Sequence, residues 1–255
     1  MHGQWITPDW PAPGSVRAVI TTRHGGVSGG PYGVPPGMRG GMNIGLGTAD
    51  VAADVQANRA RLRSSMPAEA RWLHQVHGSR VVDAAQVADN STERADASFT
   101  SVPNIVCAVS VADCMPVLLA DGSGQCVGIA HAGWRGLAAG IIQHTVDAMR
   151  NRIGNPGAEL IAYLGPAIGP RHFEVGAEVR DAMNEHLPDA DRAFVALAGG
   201  KFRADLFALG RQALELAGVS HIYGGQHCTF SNPQSFYSFR RDRVTGRHAA
   251  LIWRV

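Results

Sequence analysis

The chain has 255 residues, 45% of them hydrophobic, enough to bury a full core and near the upper end of what one domain holds. Its formal net charge is only +2, with Lys and Arg scattered among acids; this excludes the dense basic face that nucleic acid or anionic lipid requires, and a small-molecule partner fits better. Cys107, Cys114, Cys126 and Cys228 form neither a CxxC pair nor a regular disulfide framework, so each is read as a thiol.

The opening MHGQWITPDWPAPG has no basic region followed by an apolar core, so no signal peptide is expected. Residues 16–22 read as a strand. From there to Gly47, GGVSGG and YGVPPGMRGGMN are too rich in Gly and Pro for regular structure, and they read as a lid or binding loop or as a disordered tip around residues 35–41. Asp50 is placed to cap a helix running to about Ser65, with Val51, Val55 and Leu62 near one face. Short apolar runs follow at 71–77, 81–85, 105–112, 116–120 and 125–130, which makes the middle of the chain sheet. The longest apolar stretch, 102–120, is interrupted by Asn104, Ser110 and Asp113 and does not suit a membrane span; a soluble, cytoplasmic protein is expected. A helix over 137–152, a strand over 160–164 and helices over 177–186 and 204–217 come next, and strand-like runs at 221–223, 236–239 and 249–254 close the sequence. Strands in groups with only some helices between them predict an α/β fold with a mixed sheet or two sheets and helices outside. There is no internal repeat and no GxGxxG or Walker loop.

His77, Cys114 and His131 each follow an apolar run, where the chain is expected to leave a strand. Gathered at one sheet edge, two imidazoles and a thiolate give three ligands and leave a fourth position for water or substrate, the pattern of catalytic zinc. Such a metal lowers the pKa of its water towards neutrality. The separations of 37 residues (77 to 114) and 17 residues (114 to 131) match no local metal motif, and a buried Cys ordinarily behaves as a small hydrophobe. His74 is not paired with His77, because an odd offset on a strand points side chains to opposite faces. Cys107 and Cys126 read as core residues, with Cys228 near the site.

The segments TTRHGGVSGGPYG with MNIGLG, QVHG, RADAS, ADCMPVLL, HAGWRGLAAGI, LGPAIGPRHFEVG and FRRDRVTGRHAALIW together closely resemble the laccase-domain or polyphenol-oxidase-type family, whose bacterial members are also described as peptidoglycan editing factors. The resemblance runs from about Trp10 to the C-terminus, in order. It implies that the His of QVHG, the Cys of ADC and the His of HAGWRG bind the catalytic metal, which places that role on His77, Cys114 and His131. It also implies a single α/β domain over residues 1–255, of layered mixed β-sheets with flanking helices. The implied chemistry is phosphorolysis of adenosine, inosine, guanosine and methylthioadenosine, together with deamination of adenosine. One departure is the elongated loop VPPGMRGGMN, which bears on the mouth of the site.

For deamination, a hydroxide must reach C6 of adenine and a proton must reach the leaving ammonia; Asp113 is a candidate for proton transfer or for orienting a ligand through a hydrogen bond. Phosphorolysis requires cations or amides that hold phosphate beside the ribose; Arg23, Arg135, Arg240 and Arg241 are the candidates, and Arg241 is as readily a surface ion pair with Asp242. Asn43 and the backbone of Gly25 and Gly26 can read ribose or base edges, and Phe173 or Tyr237 can stack on a purine. The partners expected are therefore purine nucleosides and phosphate, with zinc as cofactor and no nucleic acid or membrane, for a monomer or at most a weak homodimer. Copper can occupy such ligands in vitro, but the 11 histidines include no His-x-His pair, which argues against a multicopper oxidase of phenols. The remaining alternative is an editing factor acting on misincorporated amino acids in peptidoglycan precursors, with Cys114 as nucleophile and a histidine partner.

Overall fold

Alternation of side chains along the central strands decides the architecture of the computed structural model, which describes residues 5–89 and 91–255. In chain order, strands β1 (Val16–Ile20) and β2 (His24–Ser28) precede helix α1 (Ala52–Arg63). Next come β3 (Ala70–Arg71), β4 (Val81–Asp83), β5 (Ala97–Thr100), β6 (Val106–Val111), β7 (Met115–Asp121) and β8 (Val127–Ala132). Helices α2 (Trp134–Ala138) and α3 (Ile141–Ile153) lead to β9 (Leu160–Leu164) and β10 (Glu174–Val175). The remainder is α4 (Ala177–Asn184), β11 (Phe194–Ala196), β12 (Phe202–Ala204), α5 (Leu206–Leu216), β13 (His221–Gly224), α6 (Phe239–Asp242) and β14 (His248–Arg254).

A six-stranded sheet runs in the order β13-β9-β7-β8-β5-β4, and a four-stranded sheet runs β1-β14-β6-β3. Both are mixed: antiparallel in their centres, with parallel pairs at β13–β9, β4–β5 and β3–β6. Because successive strand residues face opposite ways, β7 sends Leu118 and Ala120 between the two sheets, where they meet Val109 of β6 and Ile252 of β14. Val117 and Leu119 face the other side and pack on Ile142 and Val146 of α3 and Leu209 and Leu214 of α5. The outer face of the four-stranded sheet, with Ala108 and Leu251, is covered by Met42, Ile44 and Leu62 of α1. The result is a helix–sheet–sheet–helix stack, an α/β fold of layered mixed sheets with flanking helices. Among the described residues no helix is long and apolar enough to cross a membrane.

Several expected elements change. The run 71–77 forms a strand only at its start, where Ala70 and Arg71 pair with Val106 and Cys107 of β6, and afterwards makes an isolated bridge from His74 to Arg94. Beyond that, Gln75 takes the place of a strand neighbour: its Oε1 accepts from the Ser110 amide at 2.8 Å and its Nε2 donates to the Ser110 carbonyl at 3.0 Å. The expected helix 137–152 is two helices, divided at Gly140, whose φ of 78° ends the α2 path and starts α3. Residues 236–239 form no strand; Phe239 opens α6, which Ser238 caps by accepting from the Arg241 amide. The N-cap of α1 is Val51, not Asp50, and Val51 is 62% exposed, while Val55 and Leu62 are buried. The Gly-rich stretch contains β2, tied to α1 by the Val27 amide donating to Asn58 Oδ1 at 2.9 Å. In that stretch, expected as a lid or binding loop or as a disordered tip around residues 35–41, the carbonyls of Pro31 and Gly33 accept from the buried Arg23.

Candidate metal centre

Three backbone features bring the sulfur and two imidazoles together. Cys114 lies in the tight link between β6 and β7, after Asp113, whose φ is 93°. A non-glycine residue in that region needs external support. Thr229 Oγ1 and the Arg240 amide each donate to the Asp113 carboxylate at 2.6 Å, and the Ile168 amide donates to its carbonyl at 3.0 Å. His131 sits on β8 opposite Pro116 of β7, which places it beside Cys114. His77, at φ 60°, lies in the loop after β3 rather than at a strand end.

Asp96 organises this loop. Its fully buried carboxylate accepts from three successive amides, Val76 at 3.1 Å, His77 at 2.9 Å and Gly78 at 2.8 Å, and from His131 Nδ1 at 2.8 Å. Two of the four donors share Oδ1, so one oxygen sets both the main chain of His77 and the ring of His131. With Nδ1 bound to Asp96, the Nε2 edge of His131 is left for a metal or for Cys114. The loop departs from strand geometry because its N–H groups converge on a carboxylate instead of running along a neighbour.

One ligand atom each from His77, Cys114 and His131 lies within 4.8 Å of the others, and the two rings meet edge to face at 4.8 Å between centroids. Gly133 makes room for them: a Cβ there would fall 2.8 Å from Cys114 Sγ and 3.5 Å from His77 Cδ2. Burial pushes the Cys114 thiol up, but His131 and His77 outweigh it and bring its pKa down to about 6. Burial works against protonation of His131, yet Cys114 and Asp96 raise it to about 9. Asp96 is held below its ordinary value: burial opposes this, and the hydrogen bonds from His131, Gly78 and Val76 prevail. A thiolate beside two imidazoles, fixed from behind by a carboxylate, is a donor set suited to zinc or another borderline-soft metal.

The cluster forms part of the wall of a cavity of about 480 Å³, within the range of small-molecule sites. Its apolar wall includes Ile168, Phe173, Leu206 and Phe239, and its cations are Arg135, Arg240 and Arg247. Asp113 lies at the wall as well, with both carboxylate oxygens already engaged.

Other residues singled out in the sequence are placed elsewhere. Arg23 is 1% exposed and donates to the carbonyls of Gly33, Pro31 and Pro233, with its guanidinium over the Tyr237 ring at 4.8 Å. The Tyr237 hydroxyl donates to the Tyr32 carbonyl, and Gly26 pairs with Gly40, so none of these is brought to the cavity. Asn43 is buried; its Oδ1 accepts from the amides of Gly45 and Arg247 at 3.0 and 2.8 Å, so it holds Arg247 rather than facing the cavity. Arg241 pairs with Asp242 and donates to the carbonyls of Thr229, Phe230 and Phe236. Cys107 and Cys126 are buried in the core, with their thiols pushed up to about 12 by burial. Cys228 lines a different pocket, with Gly169 and His172. Sequence reading missed Asp96, Gln75 and Arg247. Asp96 had a usable signal, an acid between two alanines at the start of an apolar run, where a buried carboxylate must find donors.

The family described as multi-copper polyphenol oxidoreductase laccase matches residues 17–255. A Pseudomonas aeruginosa protein named purine nucleoside phosphorylase is 48% identical over 250 residues, covering 98% of each chain. An Escherichia coli protein, purine nucleoside phosphorylase YfiH, is 43% identical over 252 residues, again covering 98% of each. Among solved structures, a Neisseria meningitidis protein superposes with a TM-score of 0.90 at 44% identity, covering 98% of this chain and 99% of that one. YlmD from Geobacillus stearothermophilus gives 0.87 at 32%, covering 98% and 96%.

Proposed function

Since the chain belongs to the multi-copper polyphenol oxidoreductase laccase family, whose relatives named above include purine nucleoside phosphorylases, we propose that it is a zinc-dependent purine nucleoside enzyme. It phosphorolyses adenosine, inosine, guanosine and methylthioadenosine, and it deaminates adenosine. The observation that carries this reading is the His77–Cys114–His131 cluster set in the wall of a cavity that combines aromatic surface with three guanidinium groups. His77, Cys114 and His131 would hold the zinc, and a zinc ion there supplies Lewis-acid chemistry and a lowered pKa for water.

The chain's own residues do the rest. Phe173 and Phe239 offer apolar faces on which a purine can lie. Arg135, Arg240 and Arg247 make the cavity attractive to phosphate. Asp113 acts as a positioning residue, fixing the main chain of Arg240 and the link that carries Cys114. In phosphorolysis a phosphate oxygen forms a bond to C1′ of the ribose while the N9–C1′ bond breaks; the electron pair leaves with the base, which takes up a proton. In deamination a water oxygen bonds to C6, and the amino group departs as ammonia after taking up a proton.

The test is to incubate the metal-loaded protein with adenosine, with and without phosphate, alongside Cys114→Ala. Adenine with ribose phosphate, or inosine, is the expected product, and full activity in Cys114→Ala would defeat the proposal. A second reading, a peptidoglycan-precursor editing enzyme with Cys114 as nucleophile, draws on the low thiol pKa beside His131. Cleavage of a precursor peptide with no nucleoside turnover would favour it. Copper oxidation of phenols fits poorly, because the described residues hold one group of three such ligands, too few for a multicopper cluster.

A further inference from the structure

The cleft at the metal cluster continues past Arg247. Gln75, Ser110 and Arg247 also belong to the wall of a second chamber of about 450 Å³, which extends to Trp72, to Arg59 of α1 and to the turn at residues 45–48. Among the described residues two guanidiniums line this chamber and no Asp or Glu does; Ser91 and Thr92 add hydroxyls, while the Thr48 hydroxyl is spent on the Gly45 carbonyl. The flank where Arg135 and Arg240 lie is different, since Glu174 and Glu178 share that wall and Lys201 pairs with Glu174.

Both chamber arginines are fixed before any ligand arrives. Arg59 Nε donates to the Ile44 carbonyl at 2.8 Å, and its guanidinium lies over the Trp72 ring at 4.4 Å, which leaves its two Nη groups without a protein acceptor among the described residues. The acid whose charge acts on it, Glu69, is engaged by Arg63. Arg247 is held by its amide on Asn43 and by Nη1 on the carbonyls of Thr245 and Gly246. Its stem lies against Gly45, where a Cβ would fall 2.7 Å from Arg247 Cγ. The charges acting on it from the metal side are Cys114 and Asp113. Burial lowers the pKa of both guanidiniums, the sign of cations whose solvation is incomplete. Two such groups facing one chamber make a local positive potential that favours an anion. Donors arriving from two guanidinium forks and two hydroxyls suit a tetrahedral oxyanion with many acceptors.

We infer that this chamber is a phosphate-binding site, held by Arg59 and Arg247 with the hydroxyls of Ser91 and Thr92, and that it opens into the metal-side cavity at Arg247. The site rests on the purine nucleoside reading for its role: its phosphate is either the inorganic co-substrate or the 5′-phosphate of a purine nucleotide. Arg59 then binds the co-substrate in the first case and is a specificity residue for the 5′-phosphate in the second.

The experiment titrates inorganic phosphate and, separately, adenosine 5′-monophosphate into the full-length, metal-loaded protein by calorimetry, and measures KM for phosphate and for inosine. Wild type is compared with Arg59→Gln, Arg59→Lys and Thr92→Val, each checked for native unfolding behaviour. Arg59→Gln is expected to weaken phosphate binding by about ten- to a hundredfold, with the inosine KM within about twofold, and Arg59→Lys to recover part of the loss. A loss confined to inorganic phosphate identifies the co-substrate site, and one confined to the monophosphate identifies a nucleotide site. Wild type that binds neither probe, or Arg59→Gln and Thr92→Val proteins that bind both as wild type does, would overturn the inference. If phosphorolysis is absent but phosphate binds and is lost in Arg59→Gln, the enzymatic reading fails and the site stands. If phosphorolysis proceeds and Arg59→Gln keeps both its phosphate KM and its affinity for adenosine 5′-monophosphate, the site fails and the enzymatic reading stands.

Discussion

Replacing Asp96 with Asn keeps the size of the side chain and removes one of its two acceptor oxygens. Each carboxylate oxygen takes two donors: Oδ1 those of His77 N and His131 Nδ1, Oδ2 those of Val76 N and Gly78 N. Turned one way, its NH₂ faces the amides of Val76 and Gly78; turned the other, it faces the His77 amide and His131 Nδ1, which can accept only by moving the ring proton to the Nε2 that a metal needs. Two charge-assisted hydrogen bonds are lost, at about 1.5–3 kcal/mol each, so the expected destabilisation is about 3–6 kcal/mol. For a chain of this length that is a fall in Tm on the order of 10 °C. The metal ligands are affected more directly, because the same carboxylate orients His131 and places His77; metal affinity should drop by about 10–100-fold. Competition against a chromophoric chelator, run beside thermal unfolding of the same protein, measures both effects. Asp54→Asn, whose carboxylate meets Arg39 at the surface, is the control. An Asp96→Asn protein that binds metal within about twofold of wild type and unfolds at the wild-type temperature would refute the role assigned to this carboxylate.

Cys114→Ala should abolish stoichiometric metal binding, read by elemental analysis after gel filtration, while the fold persists. Gly133→Ala brings a Cβ to 2.8 Å from Cys114 Sγ and should lower metal affinity at least about tenfold; unchanged affinity would show that the sulfur can move aside. Asp113→Asn should lower kcat/KM without removing a limb of the pH–rate profile, because both carboxylate oxygens are engaged by Thr229 and Arg240; a lost limb would instead make Asp113 the proton-transfer group. His248 is fully buried, and burial depresses its pKa from 6.5 to about 3. Its folded pKa lies below the unfolded one, so the stability it secures is present above about pH 6.5 and is lost as pH falls towards 3, by about 1.4 kcal/mol per unit. Denaturant titrations at pH 7 and pH 5 should differ by about 2 kcal/mol from this group, and His248→Asn should flatten the slope.

The strands that could be read in the sequence are those whose alternation is decided by packing on two faces, such as 160–164 and 249–254. The segment 71–77 looked the same by composition, but its amides go to Asp96 and its register to the Gln75 side chain, neither of which a local pattern encodes. The split at Gly140 was similarly hidden, since the residues on both sides favour helix. At the site, His77, Cys114 and His131 carry no local spacing motif; their places after apolar runs made them candidates, and the resemblance to a family turned the candidates into an assignment. Arg23 looked like a phosphate ligand because it precedes a Gly-rich loop; the glycines instead let the loop close around its guanidinium, with three carbonyls as acceptors. Arg247 went unnoticed because Gly246–Arg247–His248 reads as a turn, and nothing in that tripeptide reveals Asn43 on its other side.

The place of β14 within its sheet bears on how the molecule is made. It lies between β1 and β6, pairing with both along nearly its whole length, yet it is the last strand in the chain. During synthesis the four-stranded sheet therefore waits as two separated halves, with the edges of β1 and β6 open until more than a hundred further residues have emerged after β6. The three metal ligands are all made by residue 131, whereas Arg247 arrives only with the closing strand. The Asp113 link that carries Cys114 is held by Ile168, Thr229 and Arg240, so the cluster, like the cavity beside it, takes its final geometry only from segments made long after its ligands.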